Sequence, residues 1–215
     1  MIEYPSISNA SKAPRKPMLA FEKLDGSMIR VKWTPRNGFC LFGSRECLLD
    51  DTHPHLGYVV HLFNSTISAE LDDLLRHHFS KEKEVVVCGE FFGPSSFAGI
   101  HVDPVEQMKL VVFDLLVIIK KSYHEFVLPQ DFVKLMAHTT IPTPRLVYEG
   151  VLGEDFISKV RGNKLDIELN EGVVCKGRER SGAYRGKVWM CKIKTNHYMD
   201  RLKTRYGDGW GRFWE

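Results

Sequence analysis

Glu22-Lys23-Leu24-Asp25-Gly26-Ser27 stands between two apolar stretches, residues 18–24 and 27–33, and its reading decides the rest of the chain. The flanks are rich in Leu, Phe, Ile, Val and Trp, the composition of strands, and Asp-Gly is a chain-turning pair. A lysine at the end of an apolar strand, two residues before Asp-Gly, presents its amine where the chain bends. Taken alone, the pattern is a hairpin turn with a surface lysine. Working outward, residues 34–38 form a turn and residues 39–45 a third strand. Over 56–79 the apolar positions Leu56, Val59, Val60, Phe63, Ile67, Leu71, Leu74 and Leu75 keep a 3.6-residue rhythm, which predicts one amphipathic helix. Residues 84–92 and 110–119 read as interior strands, 129–138 and 153–160 as short helices. Residues 171–176 and 187–195 read as the last strands, and 198–206 as a terminal helix. Strands outnumber helices and adjoin one another more often than they alternate with them. The expected fold class is therefore α+β, with mainly antiparallel sheets and flanking helices.

The chain has 215 residues, 43% of them apolar and 27% charged, which excludes disordered, collagenous and coiled-coil classes. Its longest pure apolar run, residues 115–119, is far short of the roughly 20 residues that cross a bilayer. No membrane span is expected. Residues 1–17, with Pro5, Pro14 and Pro17, read as an extended lead-in without the apolar core of a secretory signal. Cys40, Cys47, Cys88, Cys175 and Cys191 are scattered and contain no C-x-x-C pair, so a reducing, cytoplasmic setting is expected. Net charge is +3, unevenly spread: residues 1–173 carry −4 and residues 174–215 carry +7. A basic segment of this kind attracts phosphate, although charge alone fits a solvated face equally well.

Three further signals lie downstream. Strand side chains alternate, so Lys192 and Lys194 share one face while Trp189, Cys191 and Ile193 share the other. Two cations side by side, backed by apolar residues, suit a polyanion. Glu90 follows the apolar residues 85–88, and Glu171-Gly172 opens the apolar run at 173–175. Ionised carboxylates beside such runs need a metal, a cation or a hydroxyl donor. The tail mixes Arg201, Lys203, Arg205 and Arg212 with Trp210, Phe213 and Trp214, as single-strand-binding surfaces do.

Taken in order, these elements resemble the covalent nucleotidyltransferase superfamily of polynucleotide ligases and capping guanylyltransferases. Lys23-Leu24-Asp25-Gly26 is similar to its nucleotidyl-lysine motif, and Ser44-Arg45 to its short arginine motif. Gly89-Glu90 and Phe113-Asp114 are similar to the third motif and the aromatic one after it. Residues 171–176 and Lys192-Ile193-Lys194 are similar to the fourth and fifth. The resemblance implies an adenylyltransferase domain over 18–195, followed by a basic and aromatic tail at 196–215.

It also implies a mechanism. Lys23 would attack the α-phosphorus of ATP, release pyrophosphate and form lysyl-AMP. AMP would pass to a 5′-phosphate end, and a 3′-hydroxyl would displace it to seal the strand. A free lysine titrates at about 10.4, so its amine must be activated; Lys192, Lys194 and a divalent cation beside it favour the neutral form. By the same resemblance Glu171 binds magnesium, or manganese in its place, Glu90 meets the ribose and Phe113 stacks on adenine. Arg45 holds ribose or the incoming strand end, and Lys176 adds charge at the phosphates. Glu22, Asp25, Gly26 and Arg30 complete the expected nucleotide-binding set, and Arg201, Lys203, Arg205 and Trp210 the expected nucleic-acid contacts.

Only 21 residues follow Lys194, too few for the oligonucleotide-fold barrel usual in DNA ligases. Met28 also stands where DNA ligases tend to place arginine, with Arg30 two residues further on. The chain therefore looks most like a compact phage-type RNA ligase, with nucleic acid as partner, RNA preferred over DNA. The alternatives are a minimal ATP-dependent DNA ligase, or an adenylation-only or end-binding module.

Overall fold

The computed structural model describes residues 1–82, 84–120, 123–181 and 187–213; Trp214 of the expected tail lies outside them. In chain order the elements are β1 (Pro17–Lys23), β2 (Ser27–Thr34), β3 (Gly38–Gly43), β4 (Leu48–Leu49), α1 (Gly57–Thr66), α2 (Ser68–Phe79) and β5 (Val85–Phe92). There follow β6 (Lys109–Lys120), β7 (Tyr123–Phe126), α3 (Pro129–Met136), β8 (Leu146–Val151), α4 (Glu154–Arg161), β9 (Gly172–Ser181), β10 (Lys187–Lys194) and α5 (Asn196–Tyr206). Among the described residues the pairings between these strands are antiparallel, so the α+β class expected from the sequence is the one observed.

The chain divides into two compact units. The first comprises Met1–Tyr4, Gly26–Val127 and Asp131–Thr143; the second comprises Pro5–Asp25, Leu128–Gln130 and Pro144–Glu215. The boundaries expected at 17/18 and 195/196 do not coincide with these lines. Residues 5–17 are instead part of the second unit: Ser8 O accepts from Lys192 N–H at 2.9 Å, and Ala10 is buried in that unit's core.

The first unit is a six-stranded sheet in the order β4-β3-β2-β5-β6-β7. Alternation along β2 and β5 sends Ile29, Val31, Trp33, Val85, Val87 and Phe91 to one face, where Val59 and Phe63 of α1 and Leu71 and Leu75 of α2 cover them. Each such side chain contributes about 1.5–3 kcal/mol on burial. The helix expected over 56–79 is two helices, broken at Ile67 with φ −125° and ψ −15°. The Ser65 hydroxyl donates back to His61 O at 2.9 Å and the Thr66 hydroxyl to Leu62 O at 2.6 Å, which competes with the helical ladder. Ile67 is itself buried, so the apolar rhythm runs through the break unbroken.

The second unit is a four-stranded sheet in the order β10-β9-β1-β8. Met18, Ala20, Val173, Cys175, Trp189, Cys191 and Ile193 face a core closed by Phe156, Ile157 and Val160 of α4. The opposite face of β1, β9 and β10 carries the expected site residues.

Candidate active site

Register places the chemistry. β1 pairs Lys23 with Gly172, and β10 pairs Lys194 with the same Gly172. Residues directly opposed in antiparallel strands share a face, so Lys23, Gly172 and Lys194 form one row. Phe21, Val174 and Lys192 form the next, and Leu19, Lys176 and Met190 the third. Four of these nine residues are lysines and none is acidic.

The carboxylate comes from the residue just before β9. Glu171 Oε2 accepts from Lys23 Nζ at 2.9 Å and Oε1 from Lys194 Nζ at 3.1 Å, with the Glu171 side chain only 3% exposed. Gly172 makes this arrangement feasible. Its φ is +153°, and a Cβ there would lie 2.0 Å from Ile193 O, so no side chain stands between the two lysines. Burial, first, pushes the Lys194 ammonium below its ordinary value, and the Lys23 charge adds to that; Glu171 and Asp25 oppose it. Lys176 is also buried, its ammonium 5.1 Å from the centroid of the Phe21 ring. Lys192 is buried on the same face. Asp25, buried two residues after the lysine, accepts from the Tyr198 hydroxyl at 3.0 Å.

Glu22 is placed elsewhere. It pairs with Val173 in the register and lies on the face away from the lysines. Arg145 holds its carboxylate with two bonds, at 2.7 and 2.8 Å, and donates also to Glu168 O at 3.0 Å. This pair raises Arg145 above its ordinary value. Glu22 thus anchors β1 to the segment entering β8, a different position from the nucleotide contact expected of it.

The remaining expected residues belong to the first unit. There Met28, Glu90 and Val111 form one row, and Arg30, Cys88 and Asp114 the next, on the face opposite that unit's core. Arg30 is buried, and its guanidinium is committed to backbone: Nε donates to Ser44 O at 2.9 Å, Nη1 to Ile2 O at 2.6 Å and Nη2 to Arg45 O at 3.3 Å. It braces the turn that presents Arg45, whose own side chain is exposed. Phe113 is half-buried with the Tyr4 ring edge-on at 5.4 Å, and Tyr4 donates to the buried Asp114 at 2.5 Å. Gly26 is required by close approach, since a Cβ would lie 2.4 Å from Phe91 O.

In the tail, Arg201 donates to Asn170 Oδ1 at 3.0 Å, Lys203 lies over the Trp210 ring at 5.5 Å and Arg205 over the Tyr206 ring at 5.6 Å. These four residues follow the lysine sheet on α5 and the 3-10 turn after it, Gly207–Phe213.

The strand-end Lys23 and the strand residue Lys194 thus meet on one buried carboxylate, that of Glu171. The family model of the RNA ligases matches residues 16–193. The chain belongs to the RNA ligase family. Among solved structures it is similar to an RNA ligase of Naegleria gruberi with pyrophosphate, at 17% identity and a TM-score of 0.68 over 95% of this chain and 59% of that one. A lysine-to-alanine mutant of the same ligase with ATP and manganese matches at 16% identity and a TM-score of 0.65, over 93% of this chain and 58% of that one. At such identities the likeness is one of fold, and the chain spans under two thirds of those relatives. A comparison with the curated proteins finds no match.

The donor set bears on the metal that the family implies. Among the described residues no three His, Cys, Asp or Glu side chains cluster as a metal site. Glu171 supplies a hard, buried carboxylate bonded to the Lys23 amine. That suits magnesium or manganese bound by one protein carboxylate, with substrate phosphates and water completing the shell.

Tyr198 is the residue that sequence reading passed over. Its hydroxyl meets Asp25 and its ring centroid lies 5.1 Å from Lys194 Nζ. The signal was present in the spacing, since Tyr198 falls four residues after Lys194 at the start of an expected helix.

Proposed function

We propose that this chain carries the nucleotidyl-transfer part of an ATP-dependent RNA ligase, with Lys23 as the nucleophile. The observation that carries the reading is the bonded set Lys23, Glu171 and Lys194 within the residues that match the family. The neutral Lys23 amine attacks the α-phosphorus of ATP. A nitrogen–phosphorus bond forms, the bond to the bridging oxygen breaks, pyrophosphate leaves and the amine proton passes to solvent. The lysyl-AMP then gives AMP to a 5′-phosphate end, breaking the nitrogen–phosphorus bond. A 3′-hydroxyl attacks that activated phosphate, expelling AMP and forming the phosphodiester.

Each residue has a task in this reading. Glu171 keeps the lysine amine in place and would hold the divalent cation, which when bound offsets negative charge on the phosphates. Lys176, Lys192 and Lys194 lie on the same face as Lys23, where their charges act on the polyphosphate of ATP. Glu90 takes the ribose, Phe113 the adenine, and Arg45 the ribose or the strand end, with Arg30 acting through Arg45. Arg201, Lys203, Arg205 and Trp210 serve the nucleic acid by charge and stacking. RNA ends are the preferred substrate because the family that matches is that of RNA ligases.

The test is incubation with ATP labelled at the α-phosphate, with magnesium or manganese. The wild type becomes covalently labelled and Lys23→Ala does not. An unlabelled wild type that binds ATP would remove the reading.

A further inference from the structure

Tyr198 occupies a position that packing alone does not explain. It is 2% exposed and sits in the first turn of α5, where its N–H donates to the side chain of the helix cap Thr195 at 3.1 Å. Thr195 is fully buried, and its own N–H donates to Glu171 O at 2.9 Å. The start of α5 is thereby tied to the residue whose carboxylate joins the two lysines. From that fixed base the tyrosine reaches two site residues at once, with its hydroxyl on Asp25 at 3.0 Å and its ring facing Lys194 Nζ at 5.1 Å. A closed circuit results: Lys23 to Glu171, Glu171 to Lys194, Lys194 to Tyr198, and Tyr198 to Asp25 two residues from Lys23.

Both contacts are of kinds that hold a group still. A hydroxyl that donates to a buried carboxylate fixes the direction of both groups. A cation over an aromatic face is held loosely in direction but firmly in distance, and gains from being desolvated.

We propose that Tyr198 is a positioning residue for the nucleotidyl transfer assigned above, on which this inference rests: its hydroxyl fixes Asp25 and so the chain leaving Lys23, and its ring fixes Lys194. The two functions separate by substitution. Tyr198→Phe keeps the ring and loses the hydroxyl; Tyr198→Leu loses both. The measurement is single-turnover formation of labelled lysyl-AMP over a range of ATP concentrations, with thermal unfolding of each variant alongside.

Tyr198→Phe is expected to slow the saturated rate about tenfold, the loss of one charge-assisted bond, with the half-saturating ATP concentration unchanged. Tyr198→Leu is expected to lower the rate further and raise that concentration, because Lys194 then keeps its bond to Glu171 but loses the ring that faces it. In a double-variant cycle, Asp25→Asn with Tyr198→Phe should be no slower than Asp25→Asn alone. A Tyr198→Phe rate equal to wild type overturns the proposal. So does a loss in both variants that follows their unfolding temperatures, or a fully additive cycle. Absence of labelling in the wild type would instead remove the functional reading itself, which keeps the two failures apart.

Discussion

Both units bury charge on a sheet face, and they neutralise it in opposite ways. In the first, the Arg30 guanidinium is spent on the carbonyls of Ile2, Ser44 and Arg45, and Asp114 on the Tyr4 hydroxyl. Those charges hold the chain together. In the second, four lysines share a face whose nine register positions include no acid, and Glu171 from just outside it serves two of them. Burial there works against the Lys194 charge. Arg30 is bonded to backbone carbonyls, whereas Lys23 and Lys194 meet on one carboxylate. The contrast separates an arginine that braces backbone from lysines gathered on a carboxylate, where sequence presents both simply as basic residues on strands.

The largest expected effect comes from removing one buried cation in each unit. Arg30→Met leaves three carbonyls without their donor and should cost roughly 3 kcal/mol in chemical denaturation. Lys194→Met removes a charge that burial disfavours and should leave stability within about 1 kcal/mol of wild type, while lysyl-AMP formation falls steeply. Similar losses of stability in both would erase the contrast.

Alkaline titration sharpens it. The Tyr4 hydroxyl is pushed well above its ordinary value of 10.0, by burial first and then by the Asp114 charge. A raised folded value for an acid that ionises to an anion gives stability that is present below pH about 10 and lost as pH rises through the folded value. The depressed Lys194 value has the reverse sign: its penalty is present below the folded value and fades as pH climbs towards the ordinary 10.5. Wild type minus Tyr4→Phe should therefore lose stability with rising pH, and wild type minus Lys194→Met should gain it, each read from denaturant midpoints across the alkaline range.

The smallest effect belongs to an ion pair on neither functional face. Arg145 is 53% exposed, so Arg145→Ala should cost under about 1 kcal/mol and leave labelling by ATP near wild type. A large loss of labelling would return Glu22 to the nucleotide-binding set.

Much of this was legible in the chain. Apolar, β-branched and aromatic composition placed β2, β5, β6 and β10 to within a residue or two, and strand alternation put Lys192 and Lys194 on the face opposite Trp189, Cys191 and Ile193. β8 was missed because Leu146–Val151 is half-exposed and lacks a repeating apolar signal. β7 is four residues long, and β4 two. The break at Ile67 is invisible to periodicity because the buried residue at the break keeps the phase. The partition into two units escaped notice because Asp25-Gly26 looks like a hairpin turn, whereas the chain there leaves one unit for the other. The resemblance puts Arg30 and Glu22 with the nucleotide, and it says nothing of the bonds they make within the fold. Their partners, a set of carbonyls and Arg145, are long-range and leave no local trace.

Gly172 carries one last consequence. With bare backbone at the middle of the Lys23 row, the distance between the two amine-bearing strands is set by two inter-strand spacings of about 4.8 Å each, and by no side chain at all. Such a gauge is insensitive to drift in the neighbouring core: substitutions behind the sheet can soften the unit without resizing the gap its lysines span.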